Sequence, residues 1–257
     1  WFLSNTGLFK IDQSGKLIKF HGLDAEFKHS PQFYAGIHLD KAGFLWIGLL
    51  NYRLCRYDLQ TGETVVYPIK ELARKINRSF YFNSMDEGPN ETLWMGTNFG
   101  LICFHKNTGQ FEIFKDDDDK KIERGDIWTV KFDAFGSLWM GTQSKGLLKY
   151  DNTSLLKTYS NKNEVKNSLT PGWANNVREI SGGKILITTG GQNGSGGFNV
   201  LDPETDMISI IPNNEIAPLI WGINSVYETA PENFIINTFR DNYTFQPATK
   251  KVEKLSF

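Results

Sequence analysis

Three tryptophans and a group of polar residues have the chemistry of a carbohydrate-binding site. Trp128, Trp173 and Trp221 each lie near the start of a predicted strand. The apolar CH faces of sugar rings stack on aromatic rings, and amide and guanidinium groups hydrogen-bond sugar hydroxyls. The polar and aromatic residues that we assign to the same site are Asn175, Arg178, Arg240, Asn242 and Tyr243. The alternative for each residue is structural, with the rings packed between sheets and the polar groups closing turns.

Residue types that carry out catalysis or bind metals are sparse. The four histidines are scattered, and the two cysteines, Cys55 and Cys103, form neither a disulfide framework nor a metal-binding set. Asp116 to Asp119 form an acidic run, but consecutive Asp residues point in different directions and lack the spacing of a calcium loop. We therefore expect no catalytic residue, no bound metal and no cofactor in this chain.

Composition restricts the partners of the chain. The formal net charge is −1 over 257 residues, so we expect no overall attraction to nucleic acid or to an anionic membrane. No run of about 18 apolar residues is present, and we expect this segment to make no membrane contact. Hydrophobic residues make up 40% of the chain and charged residues 22%, which is enough to bury a core and keep a polar surface.

A repeated sequence unit determines where these residues lie. Leu-Trp-x-Gly occurs three times, with its indole at Trp46, Trp94 and Trp139 and spacings of 48 (94 − 46) and 45 (139 − 94) residues. A strand-like stretch that ends in Asp precedes each Trp, and two more such stretches, separated by turn residues, follow it. Four short strands in each unit, without crossover helices, are typical of a β-propeller blade.

Degenerate copies extend the array in both directions. Leu186 and Ile235 stand where a fourth and a fifth Trp would be, and Trp1 aligns with the Trp of an earlier copy. We call these six positions the Trp column. The sequence predicts an all-β propeller of four-stranded antiparallel blades, five complete and a first one without its opening strand. The expected boundaries, within a single propeller segment 1–257, are 1–20 (the partial blade), 33–67, 79–114, 126–159, 173–211 and 221–257.

The partial first blade has a consequence for the whole protein. A propeller closes by pairing its first and last blades, which removes open sheet edges. Because the first unit lacks its opening strand, we expect the natural protein to continue beyond one or both ends of this chain, within a larger, seven-bladed propeller.

The residues that define the repeat are expected to be structural. Large flat side chains in the Trp column can fill the space between neighbouring blades. The Gly that follows lets the chain turn or lets backbones approach closely, and the Asp that ends the first strand can accept hydrogen bonds from turn amides. The positions concerned are Trp1, Trp46, Trp94, Trp139, Gly48, Gly96 and Gly141.

The pattern Gly-x-Leu-Trp-Ile-Gly-Thr-x-x-Gly-Leu-x-x-Tyr-Asp resembles the two-component regulator propeller repeat. Phe44 to Asp58, Thr92 to His105 and Ser137 to Asp151 carry it best, and the resemblance covers nearly the whole chain. It implies the periplasmic sensor region of Bacteroides-type hybrid histidine kinases. In that family two propellers precede an immunoglobulin-like domain, a membrane helix and cytoplasmic kinase and receiver domains. The sequence departs from the pattern at Leu186 and Ile235, which replace Trp, and at Leu3, where Gly is expected.

The resemblance implies a function, and two alternatives stay open. The implied function is an extracytoplasmic, periplasmic propeller that senses a ligand, itself non-catalytic, and that detects glycan-derived oligosaccharides to control polysaccharide-utilisation genes. Its expected partners are an oligosaccharide, further blades and the immunoglobulin-like domain of the same protein, and a second copy in a homodimer. One alternative is a propeller scaffold for protein interaction or dimerisation. The other is a propeller lyase, which would need a His and acidic residues that converge on a metal.

Overall fold

The computed structural model describes residues 1–4, 7–11, 17–20, 36–49, 52–69, 81–114, 126–151, 157–160, 167–190, 196–211, 223–238, 241–249 and 251–255. The chain divides into two compact units, Trp1–Arg124 and Gly125–Phe257. Each unit contains three antiparallel sheets, which we number as blades 1 to 6 along the chain.

The first unit holds blades 1 to 3. Blade 1 has three strands, β1 (Phe2–Ser4), β2 (Gly7–Ile11) and β3 (Leu17–Phe20). Blade 2 has four, β4 (Ile37–Leu39), β5 (Phe44–Leu49), β6 (Arg53–Asp58) and β7 (Thr64–Pro68). Blade 3 also has four, β8 (Phe82–Gly88), β9 (Thr92–Thr97), β10 (Gly100–His105) and β11 (Gln110–Ile113).

The second unit holds blades 4 to 6, each with four strands. Blade 4 consists of β12 (Ile127–Phe132), β13 (Leu138–Thr142), β14 (Leu147–Tyr150) and β15 (Lys157–Tyr159). Blade 5 consists of β16 (Trp173–Ile180), β17 (Lys184–Gly190), β18 (Gly196–Asp202) and β19 (Met207–Ile211). Blade 6 consists of β20 (Ile223–Ala230), β21 (Asn233–Thr238), β22 (Asn242–Gln246) and β23 (Lys251–Leu255).

Every sheet is a meander in which strands consecutive in sequence are neighbours in space. The prediction of five four-stranded antiparallel blades, preceded by one without its opening strand, is confirmed. The helical structure within the described ranges is a single 3-10 turn, Ser181–Gly183. In the same ranges, no helix is long and apolar enough to cross a bilayer.

Two tryptophans of the Trp column, Trp46 and Trp139, pack against the next blade along the chain. Trp46 is 1% exposed and belongs to a buried cluster with Phe82 and Phe104 of blade 3. Trp139 is 0% exposed and packs with Ala174 and Ile185 of blade 5. Burying a Trp side chain removes roughly 150–250 Å² of surface from water and stabilises the fold by several kcal/mol. Both indoles therefore lie in the core between two neighbouring blades.

The glycine after the Trp strand lies where two blades come close together. A Cβ on Gly48 would overlap the Phe82 ring of blade 3, and one on Gly141 would overlap the Ala174 carbonyl oxygen of blade 5. Because only glycine lacks this atom, the repeat uses it where neighbouring backbones must approach.

An Asp at the end of the first strand organises the following turn and the indole together. Asp40 Oδ1 accepts hydrogen bonds from the Ala42 and Phe44 N–H groups, while its Oδ2 accepts one from Trp46 Nε1 at 2.8 Å. Asp133 does the same in blade 4, where Trp139 Nε1 donates to its Oδ2 at 2.7 Å. One carboxylate therefore satisfies two turn amides and a buried indole, which would otherwise each carry a desolvation cost.

Blade 3 departs from this arrangement because a glycine stands in place of the Asp. Asp40 and Asp133 stand six residues before their tryptophans, and the residue six before Trp94 (94 − 88) is Gly88. The strand expected to end at Asp86 extends to Gly88, which pairs with Thr92 at the start of β9, and any Cβ on Gly88 would overlap the Trp94 ring. The Trp94 indole donates to the Thr92 hydroxyl at 2.9 Å and is only partly buried.

A glutamate of one blade holds the turn of the preceding blade. Glu87 Oε2 accepts from the Lys41 N–H at 3.3 Å, and Glu179 Oε2 accepts from the Ala134 N–H at 3.0 Å. Glu228 Oε2 accepts from the Ser181 N–H at 2.6 Å. Each Glu stands seven residues before its Trp-column position, so the same contact recurs at three junctions between blades.

The first strands of blades 3 to 6 each contain a register shift that skips one residue against the second strand. The skipped residues are Asn83, Trp128, Asn175 and Asn224. Such β-bulges place an extra residue in one strand and redirect its side chain, and they are common beside binding sites. The shift precedes the Trp-column residue by a similar distance in all four blades, so it is a property of the repeat.

Candidate ligand-binding site

The bulge in blade 4 brings two of the predicted ligand-binding tryptophans together. Trp128 is the skipped residue of β12, and Trp173 is the first residue of β16 in the next blade. Their rings are nearly parallel, with an interplanar angle of 13° and centroids 6.4 Å apart. Trp173 is 38% exposed, so one ring of the pair presents a face to solvent. A sugar ring stacks on an arrangement of this kind.

Trp128 is the partly buried member of the pair. Its Nε1 atom is buried and, within the described part of the chain, has no hydrogen-bond partner. A buried indole N–H without an acceptor costs free energy, because buried polar groups in native proteins are almost always paired. An acceptor on a bound molecule would remove that cost.

Asn175 is the skipped residue of β16, two positions after Trp173. Its Oδ1 accepts a hydrogen bond from the Thr188 hydroxyl at 2.8 Å, and its Nδ2 donates to the Ile223 carbonyl of blade 6 at 3.4 Å. The amide is thus engaged in tying blade 5 to blade 6. Only its second Nδ2 hydrogen and the remaining lone pairs are available to a ligand.

Arg178 lies further along β16 and packs on an aromatic ring of blade 6. Its guanidinium carbon is 4.2 Å from the centroid of the Tyr227 ring, which is 44% exposed. Its Nε atom is buried and has no acceptor among the residues that the structure describes. Tyr227 was not predicted from the sequence, although it stands opposite Ile235 just as Arg178 stands opposite Leu186.

The remaining predicted ligand residues belong to blade 6. Asn242 Oδ1 accepts from the Asn237 amide at 2.7 Å, and the Tyr243 hydroxyl donates to Asp241 at 3.5 Å. These contacts lie within the hairpin formed by β21 and β22, so the structure does not bring this pair into contact with Trp128 or Trp173. Two further predicted residues, Trp221 and Arg240, lie outside the described residues. Ligand binding by any of these residues stays a prediction.

Within the described ranges, no cluster of three or more His, Cys, Asp or Glu side chains could hold a metal ion. The histidine nearest a carboxylate in the first strands is His38, whose Nδ1 lies 3.6 Å from Asp86 Oδ1. Burial, reinforced by Glu112, raises the pKa of the Cys103 thiol to about 11. That thiol is therefore protonated and unreactive at neutral pH.

Solved structures share this fold at low sequence identity. The extracellular domain of a B. thetaiotaomicron protein described as a hybrid two-component system, BT3049, matches with a TM-score of 0.62 and 19% identity over 86% of this chain. The corresponding domain of BT4673 from the same organism matches with a TM-score of 0.54 and 20% identity over 97%. PorZ of Porphyromonas gingivalis, described as a surface component of the type-IX secretion system, matches with a TM-score of 0.63 and 18% identity over 94%.

This chain spans only part of each of those structures, 29%, 32% and 36% of their respective lengths. No family model matches the sequence, and no curated protein matches it. At such identities the comparisons show the β-propeller fold.

Proposed function

We propose that this chain is a ligand-recognising part of the extracytoplasmic region of a hybrid two-component sensor histidine kinase. Two of the similar structures are extracellular domains of proteins described as hybrid two-component systems, and they support this assignment. The ligand class that we propose is an oligosaccharide. In this role the propeller is periplasmic and non-catalytic, and it changes kinase output by favouring one arrangement of its partners.

The Trp128–Trp173 pair is the observation that carries the proposal of ligand binding. It combines a solvent-facing indole with a buried indole N–H that lacks an acceptor. An exposed Trp held by a neighbouring ring is preorganised, so little conformational entropy is lost when a sugar stacks on it. Asn175 follows Trp173 by two residues in β16, so its amide could add a polar contact to a sugar that stacks on Trp173.

Titration calorimetry against a panel of neutral and sulfated oligosaccharides tests this site. We expect saturable binding, and we expect Trp173→Ala to weaken it about fivefold, because the loss of one aromatic contact costs on the order of 1 kcal/mol. The matched control is Phe135→Ala, since Phe135 is another exposed aromatic residue of the same unit, 73% exposed in the turn before β13. Its affinity should equal that of the unaltered chain.

Two results would contradict the proposal. The first is an absence of binding across the whole panel. The second is an equal loss of affinity in the Trp173→Ala and Phe135→Ala variants, which would place the ligand elsewhere. For the sensor role, the flanking sequence of the gene is decisive. We expect it to encode an immunoglobulin-like domain, an apolar segment of about 20 residues and kinase motifs.

A homodimer that uses the outer strand of blade 5 is a second candidate function. Met207 and Ile210 on β19 are 49% and 54% exposed, and β19 is an edge strand of its sheet. Edge strands with exposed apolar side chains favour association. Small-angle scattering should report a dimer that Ile210→Lys converts to a monomer, and a monomer at every concentration would rule this function out.

A further inference from the structure

Asn199 is a polar residue at a core position of the repeat. It stands opposite Ile187, the residue that follows the Trp-column position in β17, and it is 0% exposed. The equivalent residues of blades 2, 3 and 4 are the buried Cys55, Ile102 and Leu148. A buried amide costs free energy unless its donors and its acceptor are paired. An amide in place of a small or aliphatic core residue therefore indicates a role beyond the packing of the repeat.

The Asn199 amide is hydrogen-bonded to segment 170–173, which leads into β16 and includes Trp173. Its Oδ1 accepts from the Thr170 N–H at 2.8 Å, and its Nδ2 donates to the Thr170 hydroxyl at 2.9 Å. The Nδ2 also donates to the Ile187 carbonyl of the opposite strand at 3.2 Å. Because the two bonds to Thr170 hold one backbone atom and one side-chain atom, they fix both the position and the orientation of that residue.

Thr189 adds a third contact to Thr170, and here too blade 5 departs from the repeat. In blades 3, 4 and 6 the Thr three positions after the Trp column closes the following turn, because its hydroxyl donates to a carbonyl on the far side of that turn. These threonines are Thr97, Thr142 and Thr238. The Thr189 hydroxyl instead lies 2.6 Å from that of Thr170 and accepts from the Gly197 N–H at 3.1 Å.

The chain has little conformational freedom between Thr170 and Trp173. The ring of Pro171 fixes its φ angle, and the residue before a proline is restricted as well. Gly172 has a positive φ of 112°, and a Cβ on it would lie 2.4 Å from the Gly190 carbonyl oxygen. Segment 170–173 therefore follows a path that requires glycine at position 172, and an anchor at Thr170 determines where Trp173 begins.

Trp173 depends on such an anchor because its own sheet gives its side chain little support. Its cross-strand partner in β17 is Gly190, which has no side chain to pack against the indole. The ring stacks on Trp128 of blade 4, and the side chain is 38% exposed. The direction of the indole is therefore set largely by the backbone that carries it.

We propose that Asn199 and Thr189 are positioning residues, which hold segment 170–173 so that the Trp173 indole is fixed before a ligand arrives. This role rests on the proposed function, in which Trp173 is the residue that stacks on the sugar. Neither residue contacts the ligand. Both act by preorganisation, since a ring that is already held in place loses less conformational entropy on binding.

Fluorine magnetic resonance of the chain labelled with 5-fluorotryptophan tests the positioning without a ligand. Trp173→Phe assigns the Trp173 resonance, which we expect to be single and narrow in the unaltered chain. It should broaden or split in Asn199→Leu, which introduces the residue type of Leu148 in blade 4, and in Thr189→Val, which removes the hydroxyl. The resonances of Trp46 and Trp139 should stay unchanged, because these indoles are held by their own aspartates.

Two control variants separate positioning from a general loss of stability. Thr189→Ser keeps the hydroxyl and should keep the narrow Trp173 resonance. Thr97→Val removes the hydroxyl at the same repeat position of blade 3, where it bonds its own turn, and should leave the Trp173 resonance unchanged. The positioning role is overturned if the Trp173 resonance stays narrow in both Asn199→Leu and Thr189→Val, or if Thr97→Val broadens it equally.

Titration calorimetry with the tightest-binding member of the neutral and sulfated oligosaccharide panel tests the effect on recognition. We expect Asn199→Leu to weaken binding roughly two- to tenfold, the range for immobilising one side chain. In a chain that already carries Trp173→Ala, Asn199→Leu should have no further effect on affinity, because the ring through which it acts is absent. A full additional loss in that background overturns the positioning role.

The two experiments distinguish this role from the proposed function. If no oligosaccharide binds, the proposed function fails, and the width of the Trp173 resonance still decides whether Asn199 and Thr189 position the ring. If oligosaccharides bind and the Trp173 resonance is equally narrow in all variants, the positioning role alone is overturned. If Asn199→Leu unfolds the chain, Thr189→Val and Thr189→Ser decide by the same two measurements.

Discussion

The junction between blades 2 and 3 and the junction between blades 4 and 5 are built on the same plan. In each, an Asp carboxylate holds a buried indole, and a tyrosine of the outer strand packs against that indole with centroids 5.9 Å apart, Tyr67 on Trp46 and Tyr159 on Trp139. In each, a Glu of the later blade accepts from the turn of the earlier one. The common parts follow directly from the repeat.

The two junctions differ in the position of the ion pair that links the two blades. We call this ion pair, with its hydrogen bonds, the inner tie in the first junction and the outer tie in the second. In the first, Lys106 donates to Asp40 at 3.0 Å and to Glu87 at 2.5 Å, so a largely buried ammonium joins two blades beside the first strands. In the second, Pro203 occupies the position that corresponds to Lys106 in the turn after the third strand. There the tie lies at the outer strand, where Asp206 accepts from the Tyr159 hydroxyl at 2.5 Å and from Lys157.

The outer tie depends on a single turn position. Gly62 and Gly109 adopt left-handed φ values of 77° and 70° in the turns of blades 2 and 3, and Asp206 adopts 60° at the same place in blade 5. A side chain in this region costs about 1 kcal/mol relative to glycine. In blade 5 this strained position is held by Asp206, whose carboxylate contacts the preceding blade. Two junctions with the same arrangement of strands can therefore be stabilised by different residues, in one beside the first strands and in the other at the outer strand.

The largest difference should appear when the two aspartates are removed. Asp40→Ala leaves Lys106 without one of its carboxylates and leaves the Trp46 indole and two turn amides without acceptors. We expect a loss of about 3–5 kcal/mol, as for breaking a buried ion pair. Asp133→Ala removes the same neutral hydrogen bonds but no ammonium contact, and should cost about 2–3 kcal/mol. Denaturant unfolding measures both, and equal losses would show that Lys106 contributes nothing.

The inner tie should make stability depend on pH. Burial alone would raise the pKa of Asp40, but hydrogen bonds from Trp46, Phe44 and Lys106 hold it below its ordinary 3.8. Burial would likewise raise the pKa of Glu87, but hydrogen bonds from Lys106 and Lys41 hold it below its ordinary 4.5. Burial alone would lower the pKa of Lys106, but the hydrogen bonds to Glu87 and Asp40 and their negative charges outweigh this effect. The pKa of Lys106 therefore lies above its ordinary 10.5.

The sign of each effect follows from the shift. The carboxylates contribute stability that is complete above pH 4.5 and is lost as the pH falls through their lowered folded-state pKa values. Lys106 contributes stability that is complete below pH 10.5 and is lost as the pH rises through its raised value. Lys106→Met should cost about 1.5–3 kcal/mol at neutral pH and reduce the alkaline loss, because the contribution of Lys106 to it disappears. Unfolding midpoints across pH measure this, and an unchanged alkaline limb would contradict it.

Removal of the outer tie should change the free energy of unfolding least, and it should be seen most clearly in the titration of Tyr159. Asp206→Gly relieves the left-handed strain and removes the contacts to Tyr159 and Lys157, so the free energy of unfolding should change by no more than about 1 kcal/mol. Burial, with a contribution from Asp206, raises the pKa of Tyr159 well above its ordinary 10.0. We expect ultraviolet titration of the variant to show one tyrosine ionising at a lower pH.

The reciprocal variant sharpens the comparison. A Cβ on Gly109 would lie 3.8 Å from the Tyr67 ring, so Gly109→Asp places a carboxylate beside the counterpart of Tyr159. Ultraviolet titration should then show one more tyrosine that ionises at high pH, and the free energy of unfolding should fall by about 1 kcal/mol for the left-handed residue. If neither tyrosine titration changes, Asp206 is not what perturbs Tyr159.

Much of the fold could be predicted because each blade repeats the same local chemistry. The spacing of Trp46, Trp94 and Trp139 located the strands, and the Asp-x-x-Gly turns were correctly assigned a hydrogen-bonding role. The departure of blade 3 can also be read from the sequence, since Gly88 rather than an Asp stands six residues before Trp94 (94 − 88, against 46 − 40 for Asp40). Without that carboxylate, the Trp94 indole donates to Thr92 and is less buried than its counterparts.

Contacts between blades were harder to predict, because they join residues more than forty positions apart. The glutamate that holds the preceding turn was missed, although Glu87, Glu179 and Glu228 share one position relative to the Trp column. Tyr227 was missed for the same reason. Of the predicted site, the approach of Trp173 to Trp128 could not be derived, since a bulge alters which way a strand residue points.

The bulge in the first strands sets one residue of each strand apart from those that determine the strand register. A residue skipped by the ladder has no partner opposite it in the second strand, so the register does not depend on its side chain. Blades 3, 4 and 5 carry Asn83, Trp128 and Asn175 at this position, although the register shift occurs at the same distance before the Trp column in all three. A propeller of this type can therefore acquire a new specificity by exchanging single residues at this position while the strand pairing is kept.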